Sequence, residues 1–157
     1  MKTISVTLIL TLLNLKIMAT ELKTSITIQA TPQEVWAVLT NFEEYPSWNP
    51  YIKSLTGNVK VGQKIKVDLG KMKFTPKVLV FEDNSEFKWS GHLLFPGVFD
   101  GKHRFQLLDN GDGTTTFIQS EEFKGILVPL FKKKLLTETK VDFEKMNLAI
   151  KQKVENR

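Results

Sequence analysis

At 157 residues, with 41% hydrophobic and 25% charged side chains, the chain is long enough to bury a core and has the composition of an ordinary globular domain. It has no Cys, which excludes disulfides and thiolate metal sites, and its two His argue against a four-ligand zinc site. The net charge of +5 is concentrated: residues 124–157 carry nine Lys or Arg against four Asp or Glu, and the rest of the chain is neutral overall.

Residues 1–17 form a unit of their own. Lys2 precedes an apolar run over residues 4–15, and Ile17, Met18 and Ala19 make a weak cleavage site, the pattern of a signal peptide. The run is short for a membrane span. Asn14 and Lys16 interrupt the hand-over to small residues that export expects.

The folded elements begin with an alternating segment, residues 24–30, that reads as a half-buried strand. A helix follows from Pro32 to about Thr40. Thr31 supplies its N-cap, Glu34 completes a capping box and Pro32 takes the first helical position. A short helical turn spans residues 42–47, and Asn49-Pro50 stops it. Strands are expected over residues 51–55, 64–70, 73–82, 86–94, 99–108 and 114–123, with Pro76 marking an edge or a bulge. Asp109-Asn110-Gly111-Asp112-Gly113 reads as a hairpin loop. After Lys124-Gly125 comes one long helix. Its apolar stripe is Val128, Phe131, Leu135, Phe143, Met146, Ile150 and Val154, with Thr139 in the middle and Pro129 in the first turn.

Strand parity assigns faces. Phe99, Gly101, His103, Phe105 and Leu107 share the inner face of one strand, and Lys102, Arg104 and Gln106 the outer. On the next strand Thr115, Phe117, Gln119, Glu121 and Phe123 point inward. Counting back from the hairpin places His103 opposite Gln119 or Glu121, with the other diagonal to it. A polar cluster of His103, Gln119 and Glu121 therefore lies on an apolar wall that includes Phe87, Trp89 and Leu93. His92 falls on the outer face, with Lys88 and Ser90.

Several segments resemble one family. They are residues 31–50 with Trp48-Asn49-Pro50, Trp89-Ser90-Gly91, the run Gly97 through Phe105 with its Gly-x-His-x-Phe pattern, and the Glu-x-Phe-x-Gly pattern Glu121 to Gly125. In this order and spacing the chain resembles the START-like (Bet v 1-like, SRPBCC) superfamily, in the polyketide cyclase/dehydrase and lipid-transport group, over residues 22–153. The resemblance implies an α+β helix-grip fold. A curved antiparallel sheet of about seven strands wraps a long C-terminal helix, two short helices follow the first strand, and an apolar cavity lies between sheet and helix. It also makes Met18-Ala19-Thr20-Glu21-Leu22 look like the opening of a cytosolic member. The segment 1–17 is then either an export signal or a misassigned start upstream of Met18.

The resulting expectation is a binding module for a small hydrophobic ligand such as a lipid, quinone, sterol or polyketide-like molecule, with no cofactor, metal or nucleic acid. Candidate ligand contacts are Trp48, Val67, Phe87, Trp89, Phe99, His103, Phe105, Phe117, Gln119, Glu121, Phe131, Leu135, Phe143 and Met146. The Gly62 loop, the Pro96-Gly97 loop and the start of the last helix would gate entry. Trp36 and Trp48 read as helix-to-sheet packing or as guards of the cavity mouth. Lys132, Lys133 and Lys134 read as a solvated helix turn, or as a contact for anionic lipid. An alternative is a cyclase- or dehydratase-type enzyme in which His103 abstracts a proton beside a ketone carbonyl and Glu121 poises it. A weaker alternative is a protein-interaction module.

Overall fold

The computed structural model describes residues 19–156, so the segment 1–17 lies outside the described residues. Strand β1 (Thr20–Ile28) leads into helix α1 (Pro32–Leu39), a 3-10 turn (Phe42–Glu44) and helix α2 (Tyr45–Trp48). Then come β2 (Ser54–Thr56), β3 (Lys66–Asp68), β4 (Lys73–Phe74), β5 (Lys77–Glu82), β6 (Glu86–Leu93), β7 (Phe99–Asp109) and β8 (Thr115–Lys124). The last segment is α3 (Val128–Lys134), a π-helical turn (Leu135–Thr139) and α4 (Lys140–Glu155).

The strands form a five-stranded sheet in the order β1-β8-β7-β6-β5 and a three-stranded sheet β2-β3-β4, with antiparallel pairing throughout. A bridge between Lys64 and Lys77, and a hydrogen bond from Ile65 N–H to the Pro76 carbonyl (3.0 Å), stitch the small sheet to the β5 edge. The architecture is the α+β helix-grip arrangement. Eight strands appear where about seven were expected, because the stretch 73–82 is two strands. Pro76 has no N–H for a ladder, so pairing stops there and resumes at Lys77, with a bulge between Val78 and Val80.

Local chemistry explains the other departures. The alternation of β1 runs back through Leu22 and Thr24, so the strand starts at Thr20 and ends at Ile28. Residues 51–53 are not strand. The Asn49 side-chain oxygen accepts the N–H groups of Tyr51 (3.0 Å) and Ile52 (2.8 Å), and this Asx turn delays β2 until Ser54. The capping box on α1 is formed: Glu34 N–H donates to the Thr31 hydroxyl (3.4 Å) and Thr31 N–H donates to the Glu34 carboxylate (2.8 Å).

The C-terminal segment grips the sheet with Phe143, Met146, Ile150 and Val154, all buried. Polar ties fix its register on β1. Asn147 donates to the Thr24 hydroxyl (3.0 Å), Lys151 to the Thr27 carbonyl (2.8 Å), and Gln29 N–H to Glu155 (2.8 Å). The segment is not one uninterrupted α-helix, because a π turn joins α3 to α4. Within it the Thr137 hydroxyl donates to the Lys133 carbonyl (2.9 Å), a side-chain bond that competes with the helical ladder. Among the described residues no helix is long and apolar enough to cross a membrane.

Candidate ligand cavity

The inner face of the large sheet is built from rows of paired residues, and the rows differ in kind. The row Phe87–Phe105–Gln119 is completely buried. It belongs to the core closed by α1, α2 and the second half of α4, where Tyr45, Phe117, Met146 and Ile150 also lie. The next row is Trp89–His103–Glu121, and after it comes Gly91–Gly101–Phe123. Two adjacent glycines leave no side chains to fill the space, and here the structure opens into a cavity of about 740 Å³. Its walls include Trp89, Phe99 and Phe123 from the sheet, Leu69, Met72 and Phe74 from the small sheet and its turn, and Leu127, Phe131, Leu135 and Thr139 from the last helical segment. The π turn contributes directly to the wall through Leu135, Glu138 and Thr139.

His103 stands at the boundary between the filled core and the cavity. It is 3% exposed and stacks on Trp89, with ring centroids 4.6 Å apart and planes 11° from parallel, while Phe105 and Phe143 meet its ring at 68° and 81°. Both ring nitrogens have protein partners. Nδ1 lies 3.3 Å from Glu121 Oε2, and Nε2 lies 3.3 Å from Gln119 Nε2. The Gln119 amide nitrogen also faces the Met146 sulfur at 3.6 Å, so it donates both ways and His103 Nε2 accepts. In this arrangement Nδ1 is the ring nitrogen that donates to Glu121. Gln119 Oε1 is buried without a hydrogen-bond partner among the described residues.

Glu121 is the polar group that the sheet presents to the cavity beside His103. Oε2 is held by His103, and Oε1 lies over Gly101, where an added Cβ would come within 2.8 Å of it. Among the described residues no Lys or Arg forms an ion pair with Glu121. Tyr51 and Asp142 line the same space. Burial, followed by the nearby Glu121 and Asp142 carboxylates, raises the Tyr51 phenol well above its usual pKa, so it remains a neutral donor. Lys71, His92 and Lys134 are exposed residues on the rim. Among the described residues no three His, Asp or Glu side chains converge to hold a metal ion.

Of the candidate contacts read from sequence, Trp89, Phe99, His103, Glu121, Phe131 and Leu135 line the cavity. Val67, Phe87, Phe105, Phe117, Gln119, Phe143 and Met146 instead lie in the packed interior beside it. Trp48 lies elsewhere, packed on Tyr45 (5.2 Å between ring centroids) beside a shallow depression with Glu44, Ala149 and Lys153. Trp36 packs on Phe81 at 5.3 Å. Of the three consecutive lysines only Lys134 reaches the cavity. Parity names the face of a strand, but not how far along it the helices fill the space. Tyr51, Met72, Phe74 and Asp142 gave no sequence signal. Thr139 did, as a polar break in an apolar stripe.

A family model described as polyketide cyclase / dehydrase and lipid transport matches residues 19–155. The chain belongs to that family. Similar folds occur among many solved structures. The XoxI protein of Bacillus cereus is 18% identical, with a TM-score of 0.68, covering 87% of this chain and 96% of that one. A START superfamily protein of Mycobacterium smegmatis is 21% identical, TM-score 0.65, covering 87% and 97%. Norcoclaurine synthase of Thalictrum flavum is 14% identical, TM-score 0.68, covering 90% and 89%. At these identities the likeness establishes the fold. No match is found among curated proteins.

Proposed function

We propose that this member of the family binds one apolar small molecule in the cavity between sheet and last helix, and holds its polar end at Glu121. The observation that carries the reading is a cavity of about 740 Å³ with an apolar wall and one carboxylate oriented by a buried imidazole. A ligand group that donates a hydrogen bond, such as a hydroxyl or an amine, meets Glu121 Oε1. His103 acts through Glu121 by fixing its carboxylate.

The same fold serves norcoclaurine synthase, so the fold does not choose between carrier and enzyme. The geometry here weighs against His103 as a general base. Its two nitrogens are already partnered and its ring is almost wholly enclosed. The group positioned to exchange a proton with a ligand is Glu121. The basic turn Lys132 to Lys134 stands beside the cavity rim, where it would meet an anionic surface.

The test is native mass spectrometry of the protein purified from its own host, with extraction of bound small molecules. A stoichiometric apolar ligand is expected. Glu121→Gln should weaken it more than His103→Ala. An empty protein that also ignores a panel of lipids, sterols and quinones would sink the reading.

A further inference from the structure

Large apolar side chains ring the outside of the cavity mouth. Leu94 is 74% exposed, Phe95 72%, Ile126 66% and Leu130 76%, and Met72 and Phe131 join them at the rim. Leu94, Phe95 and Ile126 come from two loops that the backbone ties together, Leu130 and Phe131 from α3, and Met72 from the turn between β3 and β4. Ile126 N–H donates to the Gly97 carbonyl and Leu127 N–H to the Val98 carbonyl, both at 3.1 Å. The loop that carries Leu94 and Phe95 is a built structure. Val98 N–H closes on the Phe95 carbonyl (3.1 Å) and Gly97 N–H donates to the Asp100 carboxylate (2.9 Å). Leu94 itself is held at φ +66°, a left-handed conformation that a bulky apolar residue rarely adopts. The fold thus holds several of its largest apolar side chains in water on one face, around the entrance to its cavity.

Contiguous exposed apolar surface of this kind marks an interaction site. Its fringe carries Lys71 from the β3–β4 turn and Lys132, Lys133 and Lys134 from α3, against the single exposed carboxylate among the described lining residues, Glu138, which pairs with Lys134 at 3.8 Å. We propose that this face docks on an anionic membrane surface, with Leu94, Phe95, Ile126 and Leu130 entering the headgroup–acyl boundary and the lysines facing the lipid phosphates. The alternative of a second copy of the chain fits less well. A two-fold dimer through this face would bring two fringes of like charge together. The docked orientation turns the cavity mouth toward the bilayer, so an apolar ligand would pass between them without crossing water. That consequence rests on the cavity-binding reading; the surface itself does not.

The experiment is sedimentation of the full chain with vesicles of phosphatidylcholine alone, or with about a third of the lipid replaced by phosphatidylglycerol. Binding is expected with the anionic vesicles, weaker binding with the neutral ones, and a loss as salt rises from about 0.1 M to 1 M. Leu94→Asp with Phe95→Asp should weaken binding by about tenfold or more. Lys132→Glu with Lys133→Glu should weaken it by roughly fivefold per lysine, on anionic vesicles only. These residues are exposed, so circular dichroism of the variants should match the parent. Thr139→Trp, which narrows the cavity from one wall, should sediment like the parent, so a failure of the cavity reading is told apart from a failure of docking. Rim variants that sediment like the parent would overturn the proposal. So would a dimer in solution that Leu94→Asp with Phe95→Asp dissociates while neither form binds vesicles.

Discussion

Tyr45 and Tyr51 are the only tyrosines in the chain, and each sits where a phenolate is unfavourable. Tyr45 is fully buried and donates to the Leu39 carbonyl at 2.6 Å, and burial pushes its pKa up. Tyr51 is raised by burial and by the two carboxylates beside it. A folded-state pKa above the unfolded value means stability that is present below pH 10.0, the ordinary phenol value, and is lost as pH climbs beyond it. Absorbance at the phenolate band should therefore stay flat past that pH and rise in one step together with the loss of circular dichroism. A gradual rise in folded protein would contradict the burial of both rings.

Two glycines make a contrast at the same scale. A Cβ on Gly101 would meet only the far end of the Glu121 side chain, whereas a Cβ on Gly125, at φ +140°, would lie 2.4 Å from the Val98 carbonyl oxygen. Gly101→Ala should therefore fold with a loss of about 1 kcal/mol or less while displacing the Glu121 carboxylate and weakening ligand binding. Gly125→Ala meets immovable backbone and should cost about 3 kcal/mol or more. Thermal melts and a ligand titration on the two variants separate these effects.

Among the elements, α1 is the one whose ends are written most plainly in the chain. Thr31→Ala removes a formed capping box and should lower stability by about 1 kcal/mol, seen as a fall of a few degrees in Tm. The same box gives a pH signature. The Thr31 backbone N–H, then its hydroxyl, hold the Glu34 carboxyl below its ordinary value of 4.5. Its contribution is present above that pH and lost as acid takes the pH through the lowered folded value. Glu34→Gln should flatten part of the acid limb of a stability-against-pH curve.

The last helical segment was less legible. Its apolar stripe marks the buried face of α4, and Phe143, Met146, Ile150 and Val154 obey it. Phe131 is on the same stripe yet 42% exposed, because α3 overhangs the cavity mouth rather than the core. The π turn is invisible to a spacing argument; it coincides with the Thr137 hydroxyl bond to the Lys133 carbonyl.

For the whole molecule, the test is whether the cavity is needed for binding and dispensable for folding. Thr139 lines it without taking part in the packed core, so Thr139→Trp should fold with near-native Tm and weaken ligand binding. A ligand that occupies the parent protein at about a hundred times its Kd should add about 2.7 kcal/mol of stability, and less to Thr139→Trp. Equal stabilisation of both proteins would place the ligand elsewhere.

The division between chain and fold follows from the range of the forces involved. Alternation and hairpin counting are local. They determined the strands β6 to β8 and their inward faces and narrowed the partner of His103 to Gln119 or Glu121, because a turn of known length limits the register; the folded hairpin decided for Glu121. The capping box and the proline at the first helical position determined the start of α1 in the same way. Depth is not local. Whether an inward side chain meets another side chain or empty space depends on where α1, α2 and α4 end over the sheet, and those edges come from packing between segments more than 90 residues apart, as the Thr24–Asn147 bond illustrates. Tertiary structure alone therefore decided that Phe87, Phe105 and Gln119 close the core while Trp89, His103 and Glu121, one row further along the same strands, look into a cavity.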